Sequence, residues 1–192
     1  RFALDIQPVG SSSDEIYDIL RIKLFDSLPD KDIINDIAIA YKSKVEEARN
    51  LGLTNYNPDK IFTGIKESYP FHPSIRELYE RFRENQNFQQ TRDLIRLMRS
   101  IIFSLWESGQ SKKRYLVNAF DIDLNESAMN TTITQIKPSL SSAISKDIAN
   151  EGRASAEIID AQYNIEFISQ VAKLLLVASL ADVPNALLGL SQ

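Results

Sequence analysis

Several residue types that carry common protein chemistry are scarce in this chain of 192 residues, which has no cysteine, one histidine and six glycines. Without cysteine there is no disulfide, no thiol nucleophile and no thiolate metal ligand, and a single histidine excludes most histidine-containing clusters. The glycines form no phosphate-binding loop, no dinucleotide fingerprint and no nucleophile elbow. We therefore expect no complete enzyme active site in this chain.

Long hydrophobic runs are also missing. The most apolar stretch covers about 15 residues from Phe167 to Ala181 and contains Gln170 and Lys173, whereas a membrane-spanning helix needs about 20 apolar residues. We expect a cytoplasmic protein with no membrane partner. The chain begins at Arg1 and not at methionine, so we expect it to be an excised part of a longer protein.

Helical spacing of apolar residues dominates the sequence. The clearest helix is predicted at Gln89–Trp106. Its apolar stripe consists of residues at offsets of 4, 3 and 4, namely Leu94, Met98, Ile101 and Leu105. Three further apolar residues are expected to widen this face: Ile95, Ile102 and Trp106. A strand is expected at Arg1–Val9. Leu116–Leu124 is expected to form either a strand or an extended connection. The remaining helices are predicted near residues 13–28, 30–51, 61–69, 73–82, 133–149, 154–163 and 165–180. The sequence thus predicts a mainly α, bundle-like fold with at most two short strands.

Basic residues are concentrated in one part of the chain. The segment Pro70–Arg114 carries nine basic and five acidic residues, a local net charge of +4 in a chain whose remainder carries −8. Within it Arg92, Arg96 and Arg99 are spaced by 4 and 3, which places them on one stripe of a helix. Two interpretations are open: a solvated face neutralised by nearby carboxylates, or a site for a phosphate-bearing partner, with Arg92 in the opening turn where helix amides attract anions.

The single histidine lies in a local motif between two ring-bearing residues. His72 follows Phe71 and precedes Pro73, and no second histidine or cysteine accompanies it. We therefore favour a packing role at the start of a helix over a metal-ligand or catalytic-base role.

An acidic stretch resembles the beginning of a calcium-binding loop. Asp121, Asp123 and Asn125 occupy its first ligand positions, but Glu126 replaces the required glycine and Thr132 replaces the bidentate glutamate. Because both the turn and the last ligand are missing, we expect a solvated acidic connection and no calcium site.

One long motif carries a family resemblance. It consists of residues 68–81, with Tyr-Pro-Phe-His-Pro at 69–73, then residues 87–99, with Phe-x-x-Thr-Arg at 88–92, and then Leu105 and Trp106. This motif resembles a family of large prokaryotic predicted AAA-type ATPases that carry a long domain of unknown function and are often encoded in phage-defence and DNA-modification gene clusters. Residues 15–25 resemble the helix after their ATPase core, with Lys23 in place of the usual arginine, and the segments 143–148 and 177–180 fit more loosely.

The resemblance implies that the chain is the helical region after a nucleotide-binding core, comparable to an AAA lid. Residues 1–12 would then end the ATPase core, residues 13–110 would form the lid-like domain, and residues 111–192 would form a further helical region or a second small subdomain. In such lids an arginine at the start of a helix reaches the γ-phosphate of ATP, and Arg92 fits that position. ATP and Mg²⁺ would be held by the N-terminal core of the same chain, and no cofactor is expected for this part alone.

Two functions follow from these observations. In the first, the chain is a lid and regulatory region that transmits the nucleotide state of an ATPase to attached domains, in the context of phage defence or DNA modification. In the second, it is a non-enzymatic helical adaptor whose basic residues bind DNA or an acidic protein partner. Other defence-system proteins are expected as further partners of the domain. The residues of that basic face are Arg96, Arg99, Lys112, Lys113 and Arg114.

Overall fold

The computed structural model describes residues 15–76 and 90–180, and this part of the chain is mainly α-helical. The predicted fold class is therefore confirmed. The longer helices are α1 (Glu15–Leu24), α2 (Lys31–Asn50), α3 (Pro58–Ser68), α4 (Gln90–Glu107), α5 (Ser127–Ile136), α6 (Ser155–Tyr163) and α7 (Phe167–Ser179). The strand predicted at Arg1–Val9 and most of the helix predicted after Pro73 lie outside the described residues.

Helices α2 and α3 pack against each other and enclose a small core of their own. Its fully buried members are Ala38, Ile61, Ile65 and Leu116. On α2 the apolar side chains of Ile33 and Ala40 are exposed. Since α3 covers the face of α2 that contains Ala38, these two side chains are turned away from the contact. At the start of α3 the Asn57 side chain accepts a hydrogen bond from the Asp59 N–H at 2.9 Å, a typical helix N-cap.

Helix α4 lies at the centre of the larger core. Leu94, Met98, Ile101 and Leu105 are all buried, which confirms the predicted buried stripe. They pack with residues of α1, α5 and α7, among them Leu20, Ile133 and Leu176. Trp106, in contrast, is 75% exposed and does not widen the apolar face as predicted.

The connection after α4 is irregular. A 3₁₀ turn covers Gln110–Lys113 and another covers Ala119–Asp121. Between them Val117 forms an isolated parallel bridge with Phe71, in which the His72 N–H donates to the Val117 carbonyl at 2.9 Å. Of the two alternatives for Leu116–Leu124, the extended connection is correct, and the described residues contain no strand longer than this bridge.

The single helix predicted at Ile133–Ala149 is wrong. Helix α5 begins earlier, at Ser127, and ends at Ile136, because Pro138 has no N–H to continue the helical hydrogen bonds. The chain then passes through a 3₁₀ turn at Pro138–Leu140 and a π-helical turn at Ile144–Ile148. Ile144 and Ile148 are buried in the larger core, so this broken segment closes one side of it.

The larger core joins residues from both sides of residue 110. Met98 lies in the same cluster as Ile122 and Leu176. The division into residues 13–110 and 111–192 stays a prediction. No helix in the described ranges combines the length and the apolarity of a membrane-spanning segment.

Candidate functional site

The three arginines of α4 are all exposed to solvent. Arg92 is the third residue of the helix, and Arg96 and Arg99 follow one and two turns later on the same stripe. This stripe lies opposite the buried one formed by Leu94 and Ile101. The core fixes the orientation of α4, so that the guanidinium groups are presented on a rigid element.

Two large aromatic residues continue the arginine stripe toward the end of α4. Phe103 is 56% exposed and Trp106 is 75% exposed. At 3.6 residues per turn, the positions 92, 96, 99, 103 and 106 fall within about 80° of one another around the helix axis. Trp106 comes 14 positions after Arg92 and therefore lies on the arginine face. The preceding residue, Leu105, lies on the buried stripe.

The basic residues after α4 differ in their surroundings. Lys112 and Lys113 lie in the 3₁₀ turn that follows Gly109 and are exposed. The Arg114 side chain is half-buried, and its Nε lies 3.2 Å from Oδ1 of Asp121. Its guanidinium carbon is also 5.6 Å from the centre of the Phe120 ring. Among the described residues, Arg114 thus has a structural contact that neither lysine has.

The carboxylate of Asp121 is enclosed within the fold. The Asn118 N–H donates to its Oδ2 at 2.7 Å, while Oδ1 faces Arg114 without an aligned hydrogen bond. Burial raises the pKa of Asp121, and the hydrogen bond from Asn118 and the charge of Arg114 only partly oppose that effect. The predicted solvated acidic connection is therefore wrong at Asp121, because its side chain is turned inward to this contact.

A polar cavity of about 480 Å³ opens beside this pair. Among its lining residues are Arg114, Asp121, Asp123, Glu157, Asp160 and Lys173. Burial lowers the pKa of Lys173, although the carboxylates of Asp123, Asp121 and Glu157 act in the opposite direction. The cavity is therefore a site of mixed charge in which Lys173 acts as a counterion to nearby acids.

Two of the acidic groups in this cavity serve to hold the backbone. Glu157 Oε2 accepts hydrogen bonds from the N–H groups of Asn150, Gly152 and Ala154 at 2.8, 2.9 and 3.1 Å. Asp160 accepts from Ile168 and Ser169 at the beginning of α7. In the part of the chain that the structure describes, no group of three histidine or acidic side chains is placed to hold a metal ion.

His72 lines a second, largely apolar cavity of about 520 Å³ between α2, α3 and α7. The Ser74 N–H donates to Nδ1 of His72 at 3.2 Å, and the Ser74 Oγ lies 2.8 Å from the same atom. Burial lowers the pKa of His72 to about 4, so that the imidazole is neutral at physiological pH. The contacts are those of a packed side chain at the start of a helix, the role favoured by the sequence.

Sequence reasoning missed Asp121 and Lys173 as interacting residues. In the sequence Asp121 belongs to the calcium-like stretch and Lys173 to an apolar helix, and neither pattern indicates a contact between them. They lie 52 positions apart in the sequence, and the only local signal was a charged residue within the apolar run of α7. Arg114 was noted for its charge alone, since its partner follows seven residues later across an irregular connection.

Together these features define a class of protein: an all-α domain that presents an arginine-bearing helix face and contains a cavity of mixed charge. The chain belongs to the DUF499 family, because residues 11–181 match the DUF499 second domain, a domain of unknown function. No curated protein and no solved structure matches the chain.

Proposed function

We propose that this domain is the helical lid and regulatory region of an AAA-type ATPase that acts in phage defence or DNA modification in the cytoplasm. In this proposal a nucleotide-binding core that precedes the domain holds ATP and Mg²⁺. The domain contributes Arg92 to the sensing of the γ-phosphate. The observation that carries the proposal is the position of Arg92, which is exposed in the first turn of the central helix α4.

Both the helix and the side chain favour an anion at this point. The unpaired N–H groups of a helix N-terminus attract phosphate, and the guanidinium group donates two parallel hydrogen bonds to it. The opposite face of α4 is buried against α1 and the C-terminal helices. A movement of α4 on nucleotide binding would therefore be passed to the packed core, and this offers a route from nucleotide state to attached domains.

The test uses the full-length protein that contains this domain, with ATP turnover as the readout. Arg92→Ala should lower turnover about 100-fold, the scale observed when one charge-stabilising donor is removed from an active site. Arg99→Ala is the matched control, because it removes the same group from the same stripe two turns away. Turnover in that control should stay within about twofold of the original.

Two results would reject the proposal. One is an Arg92→Ala protein that folds normally and retains its turnover. The other is steady phosphate release by the domain alone, because a lid supplies only one wall of a nucleotide site. Circular dichroism of the Arg92→Ala variant shows whether a loss of turnover reflects unfolding.

A second candidate function is a non-enzymatic adaptor that binds DNA or an acidic partner through its basic face. The observation that favours it is the exposure of Arg96, Arg99, Lys112 and Lys113 along α4 and the turn after it. Arg114 is the least available member of the predicted face, since it contacts Asp121. Binding of duplex DNA by this face should weaken with salt at a log–log slope of about −0.9 for each phosphate neutralised.

A further inference from the structure

The second half of α4 combines positive charge with exposed aromatic rings. Arg96, Arg99, Phe103 and Trp106 follow one another at offsets of 3, 4 and 3 on the exposed stripe. From Arg92 to Trp106 the stripe extends over about 21 Å, at a rise of 1.5 Å per residue. Lys112 and Lys113 follow in the adjoining turn and extend the positive charge beyond Trp106.

The exposure of both rings is unusual for this helix. The apolar side chains of α4 that face the core are buried, and the outer face of such a helix is ordinarily polar or charged. Neighbouring exposed apolar groups of this kind commonly mark a binding surface. A partner suited to this surface offers negative charge to the arginines and a flat apolar face to the rings.

We propose that this stripe binds single-stranded nucleic acid, with Phe103 and Trp106 stacking on bases and with Arg96, Arg99, Lys112 and Lys113 contacting phosphates. The proposal deepens the adaptor function above and rests on it. It is independent of the role proposed for Arg92. It names the class of partner and adds two contact residues that carry no charge.

Among anionic partners, a single strand makes use of both features of the stripe. In a duplex the base faces are stacked on one another, so that Phe103 and Trp106 would have no surface to stack on, whereas a single strand leaves these faces accessible. An acidic protein segment satisfies the arginines but offers the rings no planar partner. A membrane-surface helix buries a broad apolar face in lipid, whereas the broad apolar face of α4 is already inside the core.

One acidic residue at the edge of the stripe limits how the strand lies. Glu107 follows Trp106 directly and is exposed. At about 100° per residue Glu107 lies about 20° beyond the Arg96 edge of the stripe and four positions after Phe103. Its carboxylate therefore borders the stripe on the side away from Arg99 and Trp106. The strand is therefore expected to pass along the line from Arg99 to Trp106 and continue toward Lys112, away from that carboxylate.

The experiment exploits the fact that Trp106 is the only tryptophan of the chain. Oligothymidylate of about 15 nucleotides is added to the 192-residue chain while the tryptophan fluorescence is recorded. Stacking of thymine on the indole should quench the emission in a saturable way. The affinity should fall with salt at a slope of about −0.7 for each phosphate contacted.

Variants separate stacking from charge. Each of the variants Phe103→Ala and Trp106→Ala should weaken binding about 10-fold. Because Trp106→Ala removes the fluorophore, its binding is measured by the anisotropy of a labelled oligonucleotide. Phe167→Ala is the matched control, because Phe167 is 64% exposed on α7, and it should leave the affinity unchanged. Arg99→Ala should weaken binding and reduce the salt slope by about 0.7.

Three outcomes would overturn the inference. The first is an unchanged tryptophan emission at oligonucleotide concentrations that saturate binding. The second is that a DNA duplex or polyglutamate binds as tightly as the single strand, with an affinity that Phe103→Ala does not change. In that case the adaptor function would remain, but with another partner. The third is quenching of Trp106 by anionic phospholipid vesicles but not by oligothymidylate.

Discussion

Arg114 and Asp121 form an ion pair in which the two partners are unequally buried. Nε of the arginine lies 3.2 Å from Oδ1 of the aspartate, whose side chain is 1% exposed, whereas the arginine side chain is 28% exposed. The raised pKa of Asp121 indicates that its partners do not fully offset the cost of burying the charge. The pair therefore adds little to the stability of the fold through its own attraction. Its main effect is that Arg114 keeps the buried carboxylate of Asp121 from being without a partner.

The two members of this pair should respond unequally to substitution. Arg114→Met should lower the free energy of unfolding at pH 7 by about 2–3 kcal/mol, because it leaves the buried charge of Asp121 without compensation. This is less than the roughly 3–5 kcal/mol lost when a fully buried pair is broken, because the arginine side chain is partly exposed. Asp121→Asn should change it by about 1 kcal/mol or less, since it removes the charge that is costly to bury. Urea denaturation measures both variants, and the double variant completes the cycle.

The double variant decides the explanation. If the cost of Arg114→Met comes from the uncompensated carboxylate, most of the lost stability should return in Arg114→Met/Asp121→Asn. A double variant as unstable as Arg114→Met alone would show that the arginine acts through its contact with the Phe120 ring.

His72 should make the stability of the fold pH-dependent in a defined window. Its pKa is about 4 in the folded chain against an ordinary value of 6.5. Between these values the unfolded chain binds a proton that the folded chain does not, so stability falls as the pH is lowered from 6.5 toward 4. The expected total loss from this group is about 3 kcal/mol at 1.36 kcal/mol per pKa unit.

A single histidine makes this window measurable. The ring proton resonance of His72 should titrate near pH 4 in the folded chain, and His72→Gln should lose the slope of stability against pH between 6.5 and about 4.5, where few carboxylates titrate. A histidine resonance that titrates near 6.5 in the folded chain would contradict the burial of the ring.

The helices that a local pattern specifies were predictable. The offsets of Leu94, Met98, Ile101 and Leu105 identified both α4 and its buried face, because one helix repeat fixes which side chains share a side. The same arithmetic placed Arg92, Arg96 and Arg99 on one stripe. The same arithmetic places Trp106 on that exposed stripe, although its hydrophobicity favours a buried position.

The parts that depend on distant contacts were not predictable. The burial of Asp121 results from its packing with Arg114 and Asn118 in an irregular connection that has no period. Lys173 approaches this site only because α7 folds back against it. The break of the helix predicted at Ile133–Ala149 has a local signal in Pro138, which lacks the N–H that would continue the helix.

The register of α4 gives a direct comparison of two positions. Leu105→Ala should destabilise the fold by about 2–5 kcal/mol, because it leaves a cavity in the larger core. Arg99→Ala should change the stability by no more than about 0.5 kcal/mol, because the side chain is exposed. Thermal denaturation of both variants measures the difference, and equal shifts of the melting temperature would mean that the buried face is wrongly assigned.

Asp160 should stabilise the beginning of α7 from outside that helix. Its Oδ1 accepts from the Ile168 N–H at 2.9 Å and its Oδ2 from the Ser169 N–H at 2.8 Å. Although burial favours the neutral acid, hydrogen bonds from Ser169 and Ile168 outweigh it and lower the pKa of Asp160. The stabilisation is therefore complete above an ordinary aspartate pKa of 3.8 and is lost as the pH falls below that value.

Replacing this carboxylate by an amide tests the assignment. Asp160→Asn retains one acceptor and turns an NH₂ group toward the second backbone N–H, so the free energy of unfolding at pH 7 should fall by about 1–3 kcal/mol. Glu166→Gln is the matched control, because Glu166 immediately precedes α7 but its side chain makes no capping hydrogen bond. Hydrogen exchange at Ile168 and Ser169 should accelerate in the first variant and stay unchanged in the second. Equal exchange rates in both would show that α7 begins without help from Asp160.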